Sequence, residues 1–439
     1  MQPAQERTTG ANAAEAGQPC EASPAPLFAQ ATERKVNVGM TMQMSDQQSA
    51  ANSASAAGGN EWMVEGMSNG EIFFASPSLQ QRSYGTAGAV RMHEAVSAAS
   101  VQRMFAKARS QGQEDAVMFG LIPFDTRRPA SLTIPARLVQ AAIPENQAQS
   151  ASTHRPAVQA RQPVPAPEVY GDMVRKALDL YAEGGVSKIV LSRAMDVELD
   201  APIDYATVLQ DLLRRNRHGY TFAIPAWSGE DDPSPPAIML GASPELLVRR
   251  EGDRVFINPL AGSIPRHADP AIDQARREGL QVSEKDLREH SYVVSDIVRI
   301  LREHCEDLEV PDGPSVIGTD ALWHLSTFIT GRIRHLEMSA LELSCALHPT
   351  PAICGFPTAT AFGHIQELEP FDREYFAGLV GWQRENGDGE WALTLRCAKY
   401  DGDRRLRLYA GAGTVAGSDP DSEIRETATK METFMRAIA

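Results

Sequence analysis

Between residues 220 and 259 four strand-like apolar runs follow one another, at 220–225, 237–241, 245–249 and 254–259, with Gly, Pro and Asp between them. Parallel strands need a crossover of about a dozen residues or more, so runs this closely spaced pair antiparallel through hairpin-like turns. The same pattern returns at 378–382, 391–399 and 405–410, and Lys188-Ile189-Val190-Leu191-Ser192-Arg193 reads as a further strand. Helical periodicity is confined to blocks: Val174, Ala177, Leu178 and Tyr181 lie at 3.6-residue spacing, and 203–216, 270–304, 338–347 and 421–438 predict further helices. Strands joined by tight turns, with helices set apart in blocks, predict an α+β fold on antiparallel sheets.

Two stretches fall outside this pattern. Residues 1–58 are rich in Ala, Gln, Ser and Gly and bury too little apolar surface to offset their ordering entropy; they are expected to be a disordered extension. Met40, Met42 and Met44 within it each offer an alternative translation start. Residues 144–167 are Gln/Ala/Pro-rich and predict a long surface loop, and 229–236 an acidic insertion. The run Val117-Met118-Phe119-Gly120-Leu121-Ile122-Pro123 needs sheet partners from beyond the loop, so 59–439 is expected to be one domain.

Charge and cysteine usage narrow the function. A net charge of −15 with no basic stripe speaks against nucleic acid. No apolar run approaches the roughly 18–20 residues of a membrane span, and the N-terminus lacks a signal peptide's apolar core, so a cytoplasmic location is expected. The five cysteines (Cys20, Cys305, Cys345, Cys354, Cys397) are scattered, which fits neither a disulfide framework nor a zinc site.

Near the C-terminus, Gly411-x-Gly413-x-x-Ala416 fits the glycine pattern of a dinucleotide turn, but the chain ends before an acidic residue about 20 positions on can hold a ribose. A glycine turn between the strand at 406–410 and a helix capped by Ser418, Asp419 and Pro420 predicts instead a cradle for some other anion. Ile424, Ala428, Met431, Met435 and Ile438 mark that helix's buried face, which leaves Glu423, Glu426 and Lys430 together on another. The plain reading of these three is a solvated charged face. A second acidic group alters the balance: in Ser283-Glu284-Lys285-Asp286-Leu287-Arg288-Glu289-His290, Asp286, Glu289 and His290 share one helix face. Carboxylates from two helices jointly suit a hard divalent cation such as Mg2+, which takes few protein oxygens and keeps several waters.

Lys188 opens an apolar strand, where desolvation disfavours the charged amine and would make it a general base; a strand-end lysine reaching solvent is the commoner arrangement. Glu245 interrupts the apolar Gly241-to-Leu247 stretch, where apolar walls would keep a carboxyl protonated and able to donate; the alternative is an edge-strand charge. His324 reads by itself as a satisfied core histidine.

Together, KIVLSR (188–193), GASPELL (241–247), PLAGSIPR (259–266), SEKDLREH (283–290), LWHLST (322–327), LHPTPAICGFP (347–357), ELEPFDREYFAGLVGW (367–382), LTLRCAK (393–399) and YAGAGTVAGSDPDSEIRETATK (409–430) resemble the chorismate-using enzymes over roughly residues 60–439. Within that family the chain is most similar to the isochorismate synthases of siderophore and salicylate pathways. The resemblance implies two large, mostly antiparallel sheets packed as a sandwich with helices outside. It also implies Mg2+-dependent addition of water at C2 of chorismate with departure of the C4 hydroxyl. By resemblance, Lys188 activates the water, Glu245 protonates the leaving hydroxyl, and Glu289 and Glu426, with Glu423, hold the metal. Substrate contacts are implied for Gly262, Ser263, His324, Ala352, Ile353, Arg396 and Lys430, and for the amides of Gly411, Ala412 and Gly413. Members that use ammonia carry glutamine where Lys188 stands, so water is the implied nucleophile, with no glutaminase subunit and a monomer expected. Salicylate synthases, which also eliminate pyruvate, tend to carry a hydroxyl residue where Ala352 stands. A non-catalytic chorismate-binding protein would have lost Lys188, Glu245 or a metal glutamate, and none is lost.

Overall fold

The computed structural model describes residues 62–144, 155–229 and 234–438, apart from the side chain of Thr433. The expected extension at 1–58 and the centre of the acidic stretch at 229–236 lie outside the described residues.

The chain opens with β1 (Phe73–Ala75), β2 (Leu79–Ser83), β3 (Val90–Glu94), α1 (Ala98–Ser110), β4 (Val117–Ile122), β5 (Ala130–Ile134) and β6 (Leu138–Ala142). It continues through β7 (Val158–Val164), α2 (Pro167–Glu183), β8 (Lys188–Leu199), α3 (Tyr205–Arg215), β9 (Tyr220–Ala226), β10 (Ala237–Ser243), β11 (Leu246–Glu251), β12 (Arg254–Asn258) and β13 (Leu260–Pro265). Next come α4 (Pro270–Val282), α5 (Glu284–His304), β14 (Cys305–Glu309), β15 (Ser315–Gly318), β16 (Leu322–Ser326), β17 (Ile329–Ile333), α6 (Ala340–Leu347), β18 (Gly355–Phe356) and α7 (Thr358–Leu368). Last are β19 (Leu379–Arg384), β20 (Gly389–Leu393), β21 (Cys397–Tyr400), β22 (Arg405–Val415) and α8 (Pro420–Ile438).

The first sheet runs β18-β8-β22-β21-β10-β9-β1-β2-β6, with β7 also on β8; the second runs β14-β17-β12-β11-β20-β19-β4-β5-β3. A third, small sheet, β13-β16-β15, was not foreseen. Alternation along the strands builds two cores. Phe74, Ile189, Leu191 and Phe222 of the first sheet join Met118, Leu132, Leu247 and Trp391 of the second in one apolar layer. The neighbouring residues Phe73, Leu240 and Leu408 face the other way, onto Leu209 and Leu212 of α3 and Met431, Phe434 and Ile438 of α8. Each such side chain withdrawn from water contributes about 1.5–3 kcal/mol. The expected α+β sandwich of large antiparallel sheets is the observed architecture.

Four expectations need correction. The expected loop at 144–167 contains β7, whose residues pair with Ala194 to Leu199 of β8, so a polar composition concealed an edge strand. The expected strand at 391–399 is two, β20 and β21, separated at Thr394-Leu395-Arg396, where Arg396 takes φ 49°. The helical block at 270–304 divides at Ser283, which ends α4 and caps α5 by accepting from the Asp286 N–H. The glycine turn at 411–413 is not a turn: β22 runs on to Val415, and α8 starts at Pro420 after the Asp419 side chain accepts from the Ser422 N–H. Helices α1 and α7 were not anticipated.

Candidate active site

Strands β8 and β22 pair from Arg405 opposite Glu198 to Val415 opposite Lys188, placing Gly413 across from Val190 and Gly411 across from Ser192. A Cβ on Gly413 would lie 2.6 Å from Glu289 Oε1 and 3.0 Å from Lys188 Cε, and one on Gly411 would lie 2.7 Å from Ser192 Oγ. The glycines are therefore required for room rather than for a turn, because they let two ionisable side chains lie directly on the strand. Ala412, between them, points to the opposite face and does not line the cleft.

Around these strands lies a cleft lined by Glu245, Gly262, Ser263, Glu289, His324, Ala352, Ile353, Arg396, Gly411, Gly413, Glu426 and Lys430, all named from the sequence. Lys188 sits behind this wall, fully buried, with Nζ 2.9 Å from Glu289 Oε1. The strand-end lysine does not reach solvent. Glu289 comes from the first turns of α5, and its carboxylate is the polar group that the buried Lys188 side chain meets.

Glu245 occupies the tight connection between β10 and β11 and is 4% exposed. Burial raises its carboxyl to about 7, against the Leu260 N–H, which donates to Oε1 at 3.2 Å, and the fields of Lys188, Arg396 and Lys430. A carboxyl in that range is half protonated near neutral pH and can donate a proton. Its strand begins one residue later, at Leu246, so Glu245 is not an edge-strand charge.

Arg396 lies in the break between β20 and β21, and burial lowers its pKa, against the carboxylates of Glu426 and Glu245. No carboxylate among the described residues forms an ion pair with it. An unpaired guanidinium facing a cleft suits an incoming carboxylate. His324, on β16, is held by its Nδ1 2.7 Å from Ser263 Oγ, while its buried Nε2 has no partner. Burial, then Arg396 and Lys430, push its pKa well below the ordinary range, so the ring is neutral. The sequence reading of a satisfied core histidine is half right. Gly262 takes φ +78°, and a Cβ there would stand 3.0 Å from Asp286 Cβ, so glycine brings β13 against α5.

On α8, Glu426 pairs with Lys430 at 2.6 Å, and Lys430 Nζ also donates to the Gly411 carbonyl at 2.9 Å. Burial opposes ionisation of Glu426, but Lys430, with Arg396 and Lys285 beyond, holds its carboxyl below the ordinary range. Glu423 is 3% exposed and does not line the cleft; burial, reinforced by Glu426, raises it to about 7. Asp286 is raised by burial, with Glu289 and Glu426 adding to the effect. Among the described residues no three His, Cys, Asp or Glu side chains already converge as a metal cage. Asp286, Glu289 and Glu426 nevertheless line one cleft, and the repulsion that Glu289 and Glu426 exert on Asp286 is one that a hard cation relieves.

The sequence reading passed over several contributors. Lys285 faces the cleft beside Glu289 and Asp286, the two carboxylates already singled out on that helix face. Glu369 and Arg373, 2–3% exposed at their side chains, form a buried pair at 2.5 Å that serves in place of a strand on β8. Glu369 Oε1 accepts from the Ser192 N–H at 2.7 Å, and Arg373 donates to the carbonyls of Val190 at 2.6 Å and Ile353 at 2.9 Å. This pair locks the Ala352-Ile353 wall to the strand of Lys188, and among the neighbouring charges Glu367, Asp372 and Glu374 no local signal set it apart.

Residues 134–439 match the family described as "Chorismate binding enzyme". The chain is 45% identical over 337 residues to isochorismate synthase DhbC of Bacillus subtilis, covering 76% of this chain and 83% of that protein. It is 39% identical over 373 residues to the vibriobactin-specific isochorismate synthase of Vibrio cholerae, covering 83% and 91%. The crystal structure of DhbC from Bacillus anthracis superposes with TM-score 0.78 at 42% identity, over 85% of this chain and 98% of that one. Anthranilate synthase component I of Streptococcus pneumoniae, at 21% identity and TM-score 0.61, shares the fold. With the matched family spanning every element of the cleft and these relatives covering most of its length, the chain belongs to the chorismate-binding enzyme family.

Proposed function

We propose that the protein is an isochorismate synthase, an isomerase that converts chorismate to isochorismate. The observation that carries the reading is the disposition of three groups on one cleft. Glu245 is a buried carboxyl raised to about 7, Arg396 is a half-buried cation with no ion pair among the described residues, and Lys188 is a fully buried amine behind Glu289. In this mechanism Lys188 Nζ takes a proton from the water that attacks C2. Both ring double bonds shift by one position, and the C4 hydroxyl leaves as water with a proton from Glu245. One proton is taken and one given, so the reaction is an isomerisation with no net consumption of water. Arg396 and Lys430 receive the substrate's carboxylates, with Ser263 and His324 on the facing wall.

Magnesium is the metal this donor set favours. Glu289 and Glu426 would hold it, with Glu423 behind them, and it would supply positive charge for the ring carboxylate. Ala352 offers no hydroxyl to the cleft, which favours release of isochorismate over pyruvate elimination. Identity to a vibriobactin-specific synthase supports a siderophore pathway as the destination of the product. A cytoplasmic monomer acting without a glutaminase subunit accords with a substrate made inside the cell and with water as nucleophile. Among the described residues no helix is long and apolar enough to cross a membrane. Purified protein given chorismate and Mg2+ is expected to form isochorismate; formation of salicylate with pyruvate instead would place it in the lyase branch.

A further inference from the structure

In a chain carrying a net charge of −15, one cleft outside the proposed site is basic. Arg214, Arg215 and Arg217, at and just beyond the end of α3, line it together with Arg266, which follows β13. Pro244, next to Glu245, lines both this cleft and the reaction cleft.

The local charge is unbalanced. Arg155, Arg214 and Arg215 all draw on the single buried carboxylate of Asp211. Arg215 reaches Asp320 only at 4.0 Å, and its Nε is buried without a partner. Arg266 is paired with Asp273 at 2.8 Å. Arg217 has neither ion pair nor hydrogen bond among the described residues. Five guanidinium groups thus face three carboxylates. A plain account exists for part of the cluster, since Arg214 and Arg215 lie in the last turn of α3 and complement its dipole. That account does not cover Arg217, past the Asn216 cap, or Arg266, from a different element. Guanidinium forks match the planar oxygens of carboxylates and phosphates.

We propose that this cleft is a second anion site, which takes small dianions and gathers the dianionic substrate beside the reaction cleft. The gathering role rests on the chorismate reading; the anion site does not. A patch of excess positive charge on an acidic protein concentrates anions locally and speeds their capture, and the effect is screened beyond a Debye length of about 10 Å at 0.1 M salt.

The first test is the salt dependence of kcat/KM for chorismate in the wild type and in the double variant R214Q/R217Q. Both side chains are exposed, and neither belongs to the proposed catalytic machinery. The expected result is kcat within about twofold, with kcat/KM lowered about threefold to tenfold at low ionic strength and converging with the wild type near 0.5 M salt. Parallel salt dependences would overturn the gathering role. A second measurement is independent of turnover. Inorganic phosphate is titrated while following the fluorescence of Trp323, whose ring lies 4.1 Å beneath the Arg266 guanidinium. A saturable change that weakens about tenfold in R214Q/R217Q and disappears in W323F supports the site; an identical, unsaturable response in wild type and double variant overturns it. Saturable phosphate binding in a protein that makes no isochorismate would sink the functional reading while leaving the anion site standing.

Discussion

Lys188 Nζ lies 2.9 Å from Glu289 Oε1, so the proposed base and a proposed metal ligand are partners in one buried ion pair. Removing one member of such a pair strands the other and costs about 3–5 kcal/mol. Variants at these two positions therefore report on stability as well as chemistry, and each needs a melting curve beside its rate.

Lys188→Gln is expected to lower turnover by about two to four orders of magnitude, the usual contribution of a general base, with KM changed only a few-fold. Steady-state kinetics on a variant that remains folded by circular dichroism decides it. Unchanged turnover would remove Lys188 from the mechanism.

Glu426 gives a cleaner test of the metal than Glu289, because its side chain is 31% exposed and its partner Lys430 keeps a second contact at the Gly411 carbonyl. Glu426→Gln is expected to abolish activity and its response to magnesium together while leaving the fold intact. A variant still stimulated normally by Mg2+ would argue against ligation.

Gly413→Ala introduces a Cβ that would stand 2.6 Å from Glu289 Oε1 and 3.0 Å from Lys188 Cε. The methyl group must displace the carboxylate or the amine, so turnover is expected to fall at least about tenfold, as misplacing a reacting group by an ångström can cost a hundredfold. Wild-type rates in this variant would show that the close approach is not needed.

Glu245 sets a pH dependence of stability. Its folded-state carboxyl is raised to about 7 from an ordinary 4.5, so its contribution is fully present below about pH 4.5 and is lost as pH rises through 7. Glu245→Gln removes that loss. The variant is expected to match the wild type near pH 4.5 and to exceed it by up to about 3 kcal/mol near pH 8, because a tenfold change in proton affinity is worth about 1.36 kcal/mol. Denaturant titrations at the two pH values check this; an equal difference at both would mean that the carboxyl is not raised.

Much of this arrangement was legible in the sequence, for identifiable reasons. Lys188 and Glu245 interrupt apolar runs, and a charge out of pattern is visible without a structure, whereas Glu289 and Glu426 keep to charged helix faces and stood out through the family resemblance. The glycines at 411 and 413 were visible too, but their purpose was misread. A tight turn and a close approach by side chains from another element demand the same residue, and only the register of β22 against β8 separates them. Glu369 and Arg373 went unnoticed because their task, closing a gap in the ladder of β8, depends on which backbone groups lack partners. The strand at 158–164 was hidden by its polar composition, as edge strands often are. The third sheet depended on pairings between β13, β15 and β16 that no local pattern announces.

Product analysis decides whether the cleft isomerises chorismate: purified protein is given chorismate, with and without Mg2+ and with and without ammonium, and the mixture is resolved by liquid chromatography. Magnesium-dependent isochorismate is expected as the sole product, indifferent to ammonium. Anthranilate in the presence of ammonium, or salicylate with stoichiometric pyruvate, would contradict the isochorismate synthase reading.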